Sequence, residues 1–311
     1  VSLNRDNFEF IQMINSDAQP HFDLDLATFN RCYDQEPFGY AHRLNTLDLF
    51  SENNILRLLE KYAGQTKDYF VSAGARTPGT EFFSVPNGGQ TPAEAMAHLE
   101  ENSYRILLKR LENYDADFRD LLNLLFQQVV DLQGGLNGAR IERLESALFI
   151  SSGATITPFH FDPEINFFAQ IEGEKRYHVY SPAAVTDSEL EKFYVRGKVE
   201  IGQIDLAKRD PAYAHLFVLK PGLGLHQPQN APHWVETGAS RSISYSFVFE
   251  TSATRAAGRA RGYNHYVRKL GLQPSEPGAR PVVDTIKSQA MLALTPLRST
   301  VGAVLHRVRN Y

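Results

Sequence analysis

A single cysteine, Cys32, stands among the 311 residues. One thiol excludes an intrachain disulfide framework and a thiolate metal cluster, and such usage fits a reducing cytoplasm, the expected compartment. No apolar run approaches the roughly 20 residues that a membrane-spanning helix needs. The opening stretch, VSLNRDNFEF, lacks the basic and apolar regions of a secretory signal peptide. GxGxxG, Walker and G-x-S-x-G patterns are all missing, which removes sequence support for nucleotide-binding and serine-hydrolase chemistry. Aromatic residues are plentiful, with 20 Phe and 14 Tyr, but they do not interleave with a basic sheet face as an RNA-stacking platform requires. There are no repeat arrays and no low-complexity tract. What is present is ordinary globular composition, 42% hydrophobic and 22% charged. The length allows one or two domains and a sizeable core.

Charge is unevenly spread. The formal net charge is −4, yet residues 255–311 carry ten Lys+Arg against two Asp+Glu, and residues 1–254 carry 22 against 34. A body of net −12 therefore bears a C-terminal region of net +8.

Local patterns alternate between helix and strand. Ser51 is placed to cap a helix running through Leu59 and Tyr62 to Gly64. Tyr69-Phe70-Val71 reads as a short strand. Thr91-Pro92-Ala93-Glu94 combines a capping box with proline at the first helical position. Asp115 opens a helix whose apolar stripe is Phe118, Leu121, Leu122, Leu125, Val129 and Leu132, ended by Gly134-Gly135. These helices are expected to pack outside a β core. From Glu145 the period becomes strand-like: 147–151, 165–171, 175–180, 216–220 and 242–249 read as strands. Short strands with Gly and Pro turns suit a jelly roll. Residues 182–215 read as a charged, irregular insertion carrying substrate contacts or a lid. After Glu250 the chain reads as basic and helical, with Val283, Ile286, Ala290 and Leu294 at helical spacing, an interruption at Pro296, and Leu297, Val301, Val304, Leu305 and Val308 resuming the pattern.

The chemistry concentrates in TPFHFDPEINFFAQIEGEKR, residues 157–176. Side chains two apart on a strand face the same way, so His160 and Asp162 present an imidazole and a carboxylate together. A second histidine from elsewhere completes a 2-His-1-carboxylate triad, which leaves positions open on non-haem Fe(II). His233 and His226, both in the Gly/Pro-rich stretch 219–237, are the candidates. Glu172-Gly173-Glu174 supplies a hairpin turn, after which Lys175 shares a strand face with Tyr177 and Val179. An ammonium among such neighbours seeks an anion: either a ligand carboxylate or Glu172 or Glu174 across the turn. A second H-x-D, His21-Phe22-Asp23, has no following hairpin or lysine and is read as structural, as are His178 and His215.

These residues resemble the JmjC-type, cupin-like Fe(II)- and 2-oxoglutarate-dependent oxygenases, and within them the asparaginyl-hydroxylase branch. Thr157, Pro158, His160, Asp162, Asn166, the run NFFAQI, Gly173, Lys175 and Arg176 fit that family's motif, and Pro228 to His233 has the family's spacing to its third ligand. The match is strong over roughly residues 148–249. It departs at Gly222-Leu223, where the family often has Gly-Asp, at Val248, aligned with an asparagine near the cosubstrate, and at the cosubstrate-binding tyrosine, for which Tyr104 is only nearby. The resemblance implies a mainly β fold with flanking helices, a double-stranded β-helix (cupin-like jelly roll) core and a C-terminal helical extension. The expected organisation is an N-terminal mixed helical region over 1–140, the jelly roll over 141–254 and the basic helical extension over 255–311. It implies Fe(II) held by His160, Asp162 and His233, with 2-oxoglutarate bound by Thr157, Lys175 and Asn166. It also implies O2 as co-reactant and hydroxylation of a peptide or protein side chain or a small molecule. A homodimer through the C-terminal helices is expected, and neither membrane nor nucleic acid as a partner. The alternative is a non-catalytic ligand-binding or transcriptional regulatory protein, in which the barrel senses a ligand and the basic region meets nucleic acid.

Overall fold

Alternation of side chains along a few long strands decides the architecture. The structure, a computed structural model, describes residues 21–75, 77–196 and 201–308, with side chains, that of Phe83 excepted, as far as residue 294. In chain order the strands are β1 (Phe22–Asp23), β2 (Phe38–His42), β3 (Tyr69–Ala73), β4 (Tyr104–Lys109), β5 (Ile141–Ser151) and β6 (Ile156–His160). They continue with β7 (Ile165–Glu172), β8 (Lys175–Tyr180), β9 (Ala214–Leu219), β10 (Leu223–Gln227), β11 (His233–Thr237) and β12 (Ser242–Thr251). They form an eight-stranded sheet in the order β1-β2-β10-β7-β12-β5-β4-β3 and a four-stranded sheet in the order β6-β11-β8-β9. All the pairings are antiparallel, as a jelly roll requires.

The large sheet has two unlike faces. On β12, Ile243, Tyr245, Phe247 and Phe249 belong to the main apolar core, as do Ile165, Phe167, Ala169 and Ile171 on β7. The residues between them, Ser246 and Val248 on β12 and Asn166 and Phe168 on β7, face the space between the sheets. Helices cover the apolar face: α1 (Leu26–Cys32), α2 (Glu52–Lys61), α3 (Pro92–Ala97) and α4 (Ala116–Leu132). The α4 helix begins where expected, with the Asp115 carboxylate accepting from the backbone N–H groups of Asp117 and Phe118. Its stripe then meets the sheet: Phe118 packs on Tyr245 with ring centroids 6.2 Å apart, and Phe126 meets Phe249 edge-on at 5.2 Å.

Three features differ from the sequence reading. The segment 182–215 contains a capped helix, α5 (Asp187–Tyr194), whose Thr186/Glu189 capping box the charge density had masked. Arg209 fixes it from below, with both guanidinium nitrogens on Glu189 at 2.7 and 2.9 Å. Two more helices follow the barrel, α6 (Ser252–Lys269) and α7 (Pro281–Val308). The expected interruption at Pro296 is not observed: α7 runs through it, since a proline removes one backbone hydrogen bond without ending a helix whose flanks are good helix formers. Finally, the helix α1 and the strands β1, β2, β4 and β10 were not anticipated.

The basic C-terminal region lies on the acidic body. The α6 helix packs against α5, where Gly258 sits so close to the Tyr194 ring that a Cβ would meet it at 2.5 Å. Arg261 pairs with Asp187 at 3.0 Å and Arg268 with Glu191 at 2.8 Å. Among the described residues no helix is long and apolar enough to cross a membrane.

Candidate metal centre and its cavity

His160 ends β6, Asp162 follows two residues on, and His233 opens β11, which pairs with β6 so that His233 lies directly across from His160. The pairing is irregular between His233 and Val235, next to the Pro158 position that cannot donate to the ladder. One ligand atom from each of His160, Asp162 and His233 lies within 4.8 Å of the other two. No other such cluster of metal-ligating side chains occurs among the described residues.

Hydrogen bonding fixes both tautomers. Nδ1 of His160 is 2.7 Å from the Pro158 carbonyl, and Nδ1 of His233 is 3.2 Å from the Ala231 carbonyl. A carbonyl only accepts, so each Nδ1 carries the proton and each Nε2 presents a lone pair. Those Nε2 atoms face the two Asp162 oxygens, each at 3.7 Å. Burial keeps the rings neutral, pushing His160 down to about 4 and His233 down to about 3. Two lone pairs and a carboxylate thus converge with no proton to share, an arrangement that calls for a cation at their centre. The donor set fits a divalent transition metal, and three ligands on an ion that takes six leave positions open.

The cavity beside this triad has a volume of about 180 Å³. Thr157, Asn166 and Lys175 all line it. The Asn166 Oδ1 is buried without a hydrogen-bond partner. Lys175 is 5% exposed, its Nζ lying over the rings of Phe149 at 5.6 Å and Phe168 at 5.3 Å. The turn carboxylates do not take it: Glu172 is held by Arg241 at 2.8 Å, and Glu174 lies 3.8 Å from Lys220. Burial, and then the nearby Arg105 charge, push the Lys175 ammonium down to about 7. At Gly173 the turn has φ +72°, and a Cβ there would collide with the Arg241 carbonyl, so only glycine closes this hairpin.

The other histidines stand apart. His226 is fully buried on the opposite face of the large sheet, against Phe38 at 4.8 Å and Phe167 at 4.6 Å, and its Nε2 accepts from the Asp34 N–H at 3.0 Å. His178 stacks on Trp234 at 3.7 Å, and His215 lies beside Phe217. His21 flanks the two-residue strand β1, at the far edge of the large sheet.

The profile of the cupin-like domain family matches residues 50–254. The chain belongs to this family. No curated protein sequence matches the chain. In fold this cupin-like protein is similar to Escherichia coli YcfD, with a TM-score of 0.51 at 18% identity over 88% of this chain and 69% of that one. A structure of YcfD described as a ribosomal oxygenase gives 0.51 at 17% identity, covering 89% and 68%. YcfD in complex with cobalt and 2-oxoglutarate gives 0.50 at 18% identity, again covering 89% and 68%. At such identity the likeness is one of fold.

Sequence reasoning missed the part of the cupin-like cavity contributed by β4 and by the start of β5. Tyr104, Ile106 and Leu108 of β4 point into the main core, while Arg105, Leu107 and Lys109 line the cavity. The alternation was there to read in YRILLK, but its polar positions suit a solvated face equally well. On β5, Arg143 pairs with Glu145 at 2.8 Å and with the buried Glu164. Burial, then the Asp162 charge, push the Glu164 carboxyl upward. Arg143 and Phe149 are six residues apart on one strand, roughly 20 Å at ~3.3 Å per residue, so this ion-paired cluster and Lys175 occupy opposite ends of the cavity face.

Proposed function

We propose that this protein is an Fe(II)- and 2-oxoglutarate-dependent oxygenase that hydroxylates a C–H bond of a peptide or protein side chain or of a small molecule. The observation that carries the reading is the convergence of two deprotonated Nε2 atoms and a carboxylate on one point, beside a cavity holding a buried ammonium with no carboxylate partner among the described residues. YcfD, which shares the fold, is described as a ribosomal oxygenase and has been captured with cobalt and 2-oxoglutarate. The balanced reaction is R–H + O2 + 2-oxoglutarate giving R–OH + succinate + CO2. Iron, when bound, supplies the activation of O2 that no side chain can provide.

The chain's own residues have separate tasks. His160, Asp162 and His233 hold the metal, with the two imidazole orientations set by the Pro158 and Ala231 carbonyls. Lys175 receives the distal carboxylate of 2-oxoglutarate, and Thr157 lends that carboxylate a hydroxyl. Asn166, whose Oδ1 is without a partner, faces the bound cosubstrate. Phe149 and Phe168 line the cavity between these groups and keep water from the ammonium. The test is succinate formation from 2-oxoglutarate by purified, iron-loaded protein, with oxygen incorporation used to find the substrate. The reading predicts slow uncoupled turnover without substrate, abolished by His233→Ala. Binding of 2-oxoglutarate with no turnover under any substrate would favour the sensor reading instead.

A homodimer through α7 is the accompanying proposal. Val282 is 75% and Ile286 63% exposed on the same side of that helix, one turn apart, while Met291 faces α6. An apolar stripe of this kind is stabilised by burial against a second copy.

A further inference from the structure

Arg105 enters the cavity from β4, the strand beyond β5, where it lies across from Ser151. Its neighbour on the same face, Leu107, is paired with Phe149, the residue whose ring lies 5.6 Å from the Lys175 ammonium. Two cations therefore occupy one end of one cavity. Among the described residues the carboxylates of the cavity are committed elsewhere, Glu145 and Glu164 to Arg143 and Asp162 to the candidate metal centre with the two histidines. Burial alone pushes the Arg105 guanidinium down to about 10, and among the described residues no carboxylate offsets it. Like charges sharing a low-dielectric space are costly unless an anion lies between them. A guanidinium offers a planar fork to a carboxylate, and an ammonium offers a point charge from another direction, so both can act on the same group.

We propose that Arg105 is a second anchor for the distal carboxylate of the 2-oxo acid, which it shares with Lys175. The assignment deepens the oxygenase reading and rests on it for the identity of the acid. It makes the cavity selective for dicarboxylic 2-oxo acids. An acid of the same length without the second carboxylate leaves both cations unneutralised and loses both interactions.

Binding to the cobalt-loaded full chain, measured by calorimetry, tests this with 2-oxoglutarate and 2-oxovalerate as probes. Arg105→Gln weakens 2-oxoglutarate about 10- to 100-fold, the loss of one charge-assisted contact. The same substitution leaves 2-oxovalerate unchanged, and Arg105→Lys restores part of the lost affinity. Unchanged 2-oxoglutarate affinity in Arg105→Gln overturns the proposal. Equal losses for both acids also overturn it, because they assign Arg105 to holding the cavity's shape. A metal-free arm separates this proposal from the oxygenase reading: succinate raises the melting temperature of the wild-type apo chain and not that of Arg105→Gln. Succinate protection without cobalt-dependent 2-oxo acid binding sustains the two-cation anchor and sinks the oxygenase. Equal protection of both proteins by succinate overturns the anchor alone.

Discussion

The two faces of the large sheet follow one alternation and serve opposite ends. On one face Phe167, Tyr245, Phe247 and Phe249 stack under helices and are almost wholly buried. On the other, a single residue away in each case, stand Asn166, Ser244, Ser246 and Val248. The first face supplies the apolar burial that holds the barrel. The second keeps an orphaned amide and, on β4, the Arg105 guanidinium, which no carboxylate offsets among the described residues. Such groups reduce stability, and they persist because the first face carries the fold. Stability and chemistry are thus divided across one layer of backbone.

The sharpest way to break the division is at the triad. His160→Ala, Asp162→Ala or His233→Ala is expected to abolish stoichiometric metal binding and 2-oxoglutarate turnover while leaving the far-ultraviolet circular dichroism unchanged. His226→Ala, on the opposite face, is expected to keep the metal. Metal retained by His233→Ala and lost in His226→Ala would sink the ligand assignment.

Next in size is Phe247→Ala, which should cost about 3–5 kcal/mol in denaturant unfolding, the usual range for a buried phenylalanine. The folded fraction should bind metal as the wild type does. A large loss of metal affinity without a loss of stability would show that the faces are not independent.

Lys175→Ala is expected to weaken 2-oxoglutarate binding by about 1.5–3 kcal/mol with the metal retained. Stability should be unchanged or raised, because a buried cation without a protein counter-ion is removed. Marked destabilisation would place this lysine with the structural face instead.

The pH profile sharpens the same point. The Lys175 ammonium sits at about 7 in the free protein, and a bound carboxylate raises it. Affinity for 2-oxoglutarate is therefore full well below pH 7 and falls about tenfold per pH unit above it, as the proton must be taken up again. Lys175→Arg, which stays charged, should flatten that limb. A wild-type affinity that is constant from pH 7 to 9 would contradict the assignment. The smallest effect expected is at the C-terminus: Val282→Glu with Ile286→Glu should convert a dimer to monomers, read by light scattering, with little change in 2-oxoglutarate binding. A wild-type chain already monomeric would remove the dimer from consideration.

The site was most legible where short spacing carries it. His160, Asp162 and the Gly173 hairpin lie within fourteen residues, where strand parity and turn chemistry act locally. His233 needed the resemblance to separate it from His226, since both lie in one Gly/Pro-rich stretch and only tertiary packing sends His226 into the opposite face. The α4 helix was legible because its cap and stripe agree. The β4 strand was not, because Arg105 and Lys109 look the same in sequence whether they face water or a cavity. The helix α5 was hidden by its charge, and the continuity of α7 by a proline whose local preference was overridden.

Each ligand imidazole donates its Nδ1 proton to the carbonyl two residues before it on the same chain, Pro158 for His160 and Ala231 for His233. The tautomer of each ring is therefore written into backbone, while Phe82 packs on His160 at 4.8 Å and Tyr177 stacks on His233 at 5.3 Å. A carbonyl cannot be mutated away. Substitutions at cavity positions away from Phe82 and Tyr177, such as Leu107 or Val248, can change which molecules enter it without altering the proton placement of the candidate ligand imidazoles. On such a scaffold substrate choice is free to drift through descent while the metal-binding geometry is inherited intact.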